Sequence, residues 1–239
     1  MARLVEFVLM YIIKLMVRGK EQLTKKEKAV QDAFIKKLSV KRRKTKRPVI
    51  VCFIGIVGSG KSVVARELAK HIGGTVVEND AIRAELRKQK EKYGNVRIIA
   101  EHAAENVIAR GGNVILDSDF ADEKKRASIR EKAKAIGARV AFIRILCDFD
   151  VMVGRALSAS YRGRQNFFGG ASSSWKGKNK GAAVKVREMH RRTPLHYRWV
   201  SKEGGKWIPR KFSVFAEIDT TTSRWRKDVK KCAEGLCGR

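Results

Sequence analysis

An eight-residue glycine-rich motif constrains this sequence more than any other feature. Residues 55–62 read Gly-Ile-Val-Gly-Ser-Gly-Lys-Ser and match the pattern G-x-x-x-x-G-K-[ST] in full. The wholly apolar run from Val49 to Ile54 precedes the motif and predicts a buried parallel strand, and a helix is predicted after it, from about Lys61 to His71. A strand, a glycine loop and a helix in this order indicate a phosphate-binding loop, because backbone N–H groups and the helix dipole converge on the anion.

The motif also predicts which of its residues hold the parts of a nucleotide. The glycines let the backbone wrap closely around phosphate, Lys61 reaches the β- and γ-phosphates, and the Ser62 hydroxyl ligates Mg²⁺. ATP is favoured over GTP because the sequence has no guanine-reading N-K-x-D motif. We therefore predict ATP and Mg²⁺ as cofactors. The predicted nucleotide-binding residues are Gly55, Gly58, Ser59, Gly60, Lys61 and Ser62.

From Pro48 onward, predicted strands and helices alternate along the chain. Strands are predicted at 49–54, 75–77, 113–117, 139–147 and 213–219, and helices at about 61–71, 81–90, 96–110, 123–136, 148–158 and 223–234. This alternation predicts the α/β class, with a P-loop NTPase fold built on a five-stranded, mostly parallel sheet.

Two segments concentrate the positive charge of the chain, whose formal net charge is +30. Residues 1–47 hold fifteen Lys and Arg against four Asp and Glu, and are predicted to form a basic helical appendage to a P-loop domain at 48–239. Residues 155–211 hold fifteen basic and two acidic residues, and we predict a basic lid at about 159–211. Such charge favours an anionic partner, RNA or DNA among the candidates, although a proteome that is basic throughout would give the same total.

The N-terminal segment leaves two interpretations open. Residues 4–17 are strongly apolar but are interrupted by Glu6 and Lys14, and they fall short of the roughly 20 residues that a spanning helix needs. The segment suits either a helix lying on an anionic membrane surface or a helix packed on the domain or a partner. The four cysteines include no C-x-x-C pair, so we expect reduced thiols and a cytoplasmic protein, with peripheral membrane contact as the open alternative.

Carboxylates follow two of the predicted strands. Asp117 ends an apolar strand, where an Asp of a P-loop protein holds Mg²⁺, although Asp119 could serve and a capping Asp is the plainer alternative. Asp80 follows the second strand, where it could orient an acceptor hydroxyl and take its proton, or simply cap the next helix. Arg83 lies one turn further on and could hold the acceptor or its phosphate.

These motifs together resemble the AAA-family ATPase-like P-loop kinases that include zeta toxins and the kinase domain of phage-type polynucleotide kinases. The resemblance rests on residues 55–62, Asn79-Asp80-x-x-Arg83, residues 114–117, and Arg155 ahead of a basic lid, and it covers about residues 48–222. It implies that Asp80 is the catalytic base and that Arg83 contacts the substrate. It also implies that lid arginines stabilise the transferring phosphoryl group, and these correspond loosely to Arg155, Arg162 and Arg164.

The expected function is therefore an ATP-dependent kinase that moves the γ-phosphate onto a hydroxyl acceptor, with Lys61 among its catalytic residues. Ser118, rather than a second acid, follows Asp117, which favours a kinase over a hydrolytic motor. The long glycine- and lysine-rich lid departs from the family and leaves the acceptor open. A polynucleotide end is one candidate, with Trp175, Trp199 and Trp207 available for base stacking. The alternatives are a zeta-toxin-like or other small-molecule kinase, a membrane-attached regulatory module, and a non-catalytic protein that binds ATP and nucleic acid.

Overall fold

The computed structural model of the chain describes residues 23–159 and 180–238. Arg162, Arg164, Trp175 and the apolar segment at 4–17 lie outside these ranges, so the predictions made for them stay predictions. Within the described ranges, no helix is both long and apolar enough to cross a membrane.

A five-stranded sheet in which every neighbouring pair is parallel forms the centre of the fold. Its strands are β1 (Val49–Ile54), β2 (Gly74–Glu78), β3 (Asn113–Asp119), β4 (Arg139–Leu146) and β7 (Ala216–Asp219), in the spatial order β2-β3-β1-β4-β7. The predicted five-stranded parallel sheet is thus confirmed, and β3, which holds Asp117, lies beside β1, the strand that leads into the glycine motif. Two further strands, β5 (Tyr197–Val200) and β6 (Lys206–Pro209), form a separate antiparallel hairpin.

Eight α-helices of the described ranges surround this sheet. They are α1 (Lys25–Lys37), α2 (Lys61–Ile72), α3 (Asn79–Lys88), α4 (Val96–Ala109), α5 (Glu123–Ala135), α6 (Phe149–Ser158), α7 (Lys180–His196) and α8 (Trp225–Gly238).

Strand β1 is buried along its whole length, which is why its sequence is apolar without alternation. Ile50 and Cys52 face a core cluster that also takes side chains from α3, α4 and α5. Val51 and Phe53 face a second cluster, built with α2 and α8. Helices therefore cover both faces of the sheet, and its strand ends remain as the place where a ligand can bind.

Helix α1 packs into the first of these clusters, although its sequence was assigned to an appendage. Val30 and Phe34 are buried there together with residues of β1. A capping box begins the helix, because the Thr24 hydroxyl accepts the N–H of Glu27 at 3.1 Å and the Glu27 carboxylate accepts the N–H of Thr24 at 2.8 Å. The domain boundary at residue 48 stays a prediction, but residues 23–47 contribute to the core of the sheet domain.

The described part of the lid contains a 17-residue helix followed by the hairpin. In α7, Met189 is fully buried and packs in a small apolar cluster with Ile56, Cys147 and Met152. Ile56 belongs to the glycine motif, so this cluster places α7 directly beside the loop.

Candidate active site

The glycine motif forms a loop between β1 and α2, at the carboxyl end of the sheet. Gly58 and Gly60 adopt left-handed backbone conformations, with φ of 90° and 87°, which residues with a side chain rarely take. The Lys61 ammonium folds over the loop and donates to the carbonyls of Gly55 at 2.7 Å and Ile56 at 2.9 Å. Burial lowers the pKa of Lys61, while the nearby Asp119 and Asp117 carboxylates oppose this shift. A lysine ammonium on a glycine-rich loop that leads into a helix N-terminus suits the phosphates of a nucleotide.

Asp117 and Ser62 meet at this loop. Strand β3 continues two residues beyond Asp117, so Asp117 lies within the strand and does not cap its end. Burial raises the pKa of Asp117, while a hydrogen bond from the Ser62 side chain and the charge of Lys61 lower it. The two oxygen ligands fit Mg²⁺, which prefers oxygen and usually takes few ligands from protein. The described residues form no cluster of three or more His, Cys, Asp or Glu that could hold a metal. In proteins Mg²⁺ usually keeps several waters and binds substrate phosphates beside one or two carboxylates.

Asp80 lies across the same cleft, in the first turn of α3. The helix begins at Asn79 and its N-cap is Glu78, so the alternative role of Asp80 as an N-cap is wrong. The Arg83 guanidinium donates to the Asp80 carboxylate at 2.6 Å, which brings the predicted base and the predicted substrate contact together. The Asn79 side chain donates to the Ser118 hydroxyl at 2.9 Å and so fixes the start of α3 against β3.

Arg155 also lines the cleft, but its guanidinium is engaged with the end of β7. It donates to the Thr220 carbonyl at 2.6 Å, to the Thr220 hydroxyl at 3.1 Å and to the Cys147 sulfur at 3.3 Å. The Thr220 hydroxyl in turn donates to the Ser59 carbonyl of the loop at 2.7 Å. Arg155 therefore supports the loop in this structure, and its predicted contact with the phosphoryl group stays a prediction.

Asp119 joins the loop to the lid helix, a role that the sequence did not predict. Its carboxylate accepts the N–H of Gly55 at 3.4 Å and lies 3.0 Å from His196 Nε2 and 3.5 Å from the Arg192 guanidinium. Burial alone would raise the pKa of Asp119. The hydrogen bond and the charge of His196 have the opposite effect, as do the charges of Lys61 and Arg192, and together they lower the pKa to about 2. His196 and Arg192 lie more than 70 residues away along the chain, so no local pattern could have identified them.

A cleft of about 920 Å³ contains these groups and extends from the loop toward α3, α4, α5 and α7. Nine basic and six acidic side chains of the described residues line it, so the cleft favours anionic ligands. The basic residues are Lys61, Arg66, Arg83, Arg97, Lys125, Arg155, Lys185, Arg187 and Arg192.

Comparison with known proteins gives the same fold. A family model described as an AAA domain matches residues 49–165. The solved structure of a presumed kinase from Chloroflexus aurantiacus is 14% identical, with a TM-score of 0.53 over 80% of this chain and 99% of that chain. The APS kinase of Mycobacterium tuberculosis is 14% identical, with a TM-score of 0.47 over 80% and 95% of the two chains. The shikimate kinase of Acinetobacter baumannii is 16% identical, with a TM-score of 0.41 over 87% and 97%. A search of the curated proteins finds no match.

The chain has the P-loop NTPase fold, as its parallel sheet, its strand order and the loop after β1 show. Likeness at 14% identity establishes this fold and no more.

Proposed function

We propose that this protein is an ATP-dependent phosphotransferase that moves the γ-phosphate of ATP onto a hydroxyl group. The observation that carries the proposal is that one cleft holds the loop with Lys61, the Ser62 and Asp117 pair, and a separate carboxylate at Asp80. The first two parts suit a nucleotide with its metal, and the third suits the group that receives the phosphate. The likeness to the presumed Chloroflexus kinase agrees with this class of reaction.

Each of these cleft residues would have its own role in phosphoryl transfer. Lys61 would leave the two loop carbonyls and pair with the β- and γ-phosphates. Ser62 and Asp117 would hold Mg²⁺, which neutralises charge on the phosphates. Asp80 would accept the proton of the acceptor hydroxyl. The oxygen of that hydroxyl then bonds to the γ-phosphorus, while the bond between the γ-phosphorus and the leaving oxygen of ADP breaks. Such a reaction needs positioned charge more than covalent help from the protein, and this cleft supplies it.

A polynucleotide end is the acceptor that the hairpin favours. Trp199 and Trp207 lie opposite each other on β5 and β6 with ring centroids 5.5 Å apart, and they are 52% and 48% exposed. Arg198 and Lys206 are exposed on the same strands. Exposed aromatic rings among cations can stack bases and pair with phosphates. A zeta-toxin-like or other small-molecule kinase remains the alternative, because the cleft alone would also suit a small anionic acceptor.

The four cysteines are all free thiols, which supports the proposal of a cytoplasmic protein. Membrane contact through residues 1–22 stays a prediction.

A transfer assay with γ-³²P-labelled ATP over RNA and DNA ends, nucleotides, sugars and antibiotics tests the proposal. We expect one acceptor class to be labelled by the wild type and not by Lys61→Ala. Transfer to RNA or DNA that falls strongly in Trp199→Ala and Trp207→Ala would identify the polynucleotide acceptor, whereas transfer to a small molecule alone would exclude it. Absence of label from every acceptor, with ATP bound, would favour a non-catalytic ATP-binding protein.

A further inference from the structure

Lys125 lies in the cleft, and its ammonium is paired with no carboxylate among the described residues. It occupies the first turn of α5, where its N–H donates to the capping carboxylate of Asp122 at 3.0 Å. Its side chain lines the cleft and is partly buried. Among residues 23–159 and 180–238, its ammonium has no hydrogen-bond or ion-pair partner.

The surroundings of Lys125 disfavour a positive charge. Burial lowers the pKa of its ammonium, and the nearby guanidinium groups of Arg192 and Arg83 lower it further, against the opposing charges of Asp119 and Asp122. The positive end of the α5 dipole acts in the same direction as the guanidinium groups. A cation in such a place is costly unless an anion joins it.

Two carboxylates that line the cleft beside these cations, Asp119 and Asp80, already have partners. Asp119 is held by His196 and Arg192, and Asp80 is held by Arg83. Neither of them is bonded to the Lys125 ammonium, and Asp122 accepts only the backbone N–H of Lys125, so a ligand is the source that remains for a paired negative charge.

We propose that Lys125, together with Arg83 and Arg192, binds an anionic group of the phosphate acceptor, a phosphate or a carboxylate. This inference rests on the proposed kinase function and specifies its acceptor as an anion. Lys125 stands on α5, outside the phosphate-binding loop, so we assign its anion to the acceptor, and the test below occupies the loop with nucleotide to separate the two. Because Arg83 also contacts Asp80, an anion on this cluster would hold the acceptor beside the proposed base.

The test is calorimetric titration of the full chain with inorganic phosphate. Mg²⁺ and a non-hydrolysable ATP analogue are present at saturation, so that the loop cannot take the phosphate. We expect the wild type to bind phosphate and Lys125→Met to bind it roughly 10- to 100-fold more weakly, the loss of one charge-assisted contact. Lys125→Arg should keep most of the affinity. Lys124→Met, an exposed neighbour outside the cleft, is the matched control and should bind as the wild type does.

Two further arms distinguish the kinds of anion. Acetate in place of phosphate reports on a carboxylate, and a short single strand with or without a 5′-phosphate reports on a nucleic-acid end. A wild type that binds the analogue but neither phosphate nor acetate overturns this inference alone, as does equal binding by the wild type and Lys125→Met. A wild type that does not bind the analogue overturns the proposed function itself.

Discussion

Asn113, at the start of β3, connects the sheet to the chain segment before β1, and its replacement tests how much that connection stabilises the protein. Its side chain is fully buried. The side-chain oxygen accepts the N–H of Val49 at 3.0 Å and lies 2.9 Å from the Thr45 hydroxyl, and the side-chain nitrogen donates to the Ile72 carbonyl at 2.8 Å. One amide therefore joins β3, the start of β1, the end of α2 and the segment that follows α1.

Asn113→Ala should destabilise the protein by about 3–5 kcal/mol. Each lost hydrogen bond contributes about 0.5–1.5 kcal/mol, and the Val49 N–H loses its acceptor in a buried place at a further cost of about 1–3 kcal/mol. The Ile72 carbonyl still accepts the N–H of Lys44 at 3.0 Å, so the loss of its bond to Asn113 adds little to the destabilisation. The total is a large part of the roughly 5–15 kcal/mol by which a domain is usually stable.

Urea unfolding followed by circular dichroism measures the change, with Asn106→Ala as the matched control. Asn106 is also an asparagine on an element that packs on the sheet, but its buried side-chain oxygen has no hydrogen-bond partner among the described residues. Its replacement by Ala, a better helix former, should change the free energy of unfolding by less than about 1 kcal/mol. If Asn113→Ala is no more destabilising than Asn106→Ala, the hydrogen-bonded junction at β3 is not what holds these segments.

Two other predictions concern the base and the thiols. Asp80→Asn should keep the affinity for Mg·ATP and lower the transfer rate by roughly 10²-fold or more, because it removes a general base, and single-turnover transfer to the identified acceptor would show it. Unchanged transfer would leave Asp80 as a structural partner of Arg83. Cys237 is partly exposed, whereas Cys52, Cys147 and Cys232 are buried, and burial raises the pKa of Cys232 to about 12. Ellman's reagent at pH 8 should therefore label one thiol rapidly in the native protein and all four after unfolding in guanidinium. Rapid labelling of Cys232 in the native state would contradict the packing of α8.

Sequence patterns predicted the features that depend on neighbouring residues. The apolar run at 49–54 has the bounds of β1, because a strand covered on both faces needs no polar alternation. Residues 55–62 predicted the loop, because its conformation is determined by its own glycines and by the helix that follows it.

The remaining features depend on contacts between distant segments. The charge of residues 23–47 suggested an appendage, but Val30 and Phe34 pack one face of α1 into the core cluster, while most of the charged side chains of that helix stay exposed. The partners of Asp119 come from α7. The cationic surroundings of Lys125 come from Arg83 of α3 and Arg192 of α7, which are distant in the sequence. The contacts of Asp119 and Lys125 leave no periodic signal in the sequence.

Equilibrium titration with Mg·ATP shows whether the loop at residues 55–62 is the nucleotide site. We expect the wild type to bind, and Lys61→Ala to lose affinity by roughly 10-fold or more while it stays folded, because the ammonium that pairs with the β- and γ-phosphates is gone. Lys70→Ala, at an exposed lysine of the same helix, should bind as the wild type does. Equal affinity for Mg·ATP in the wild type and Lys61→Ala would contradict the account of this loop as the nucleotide site.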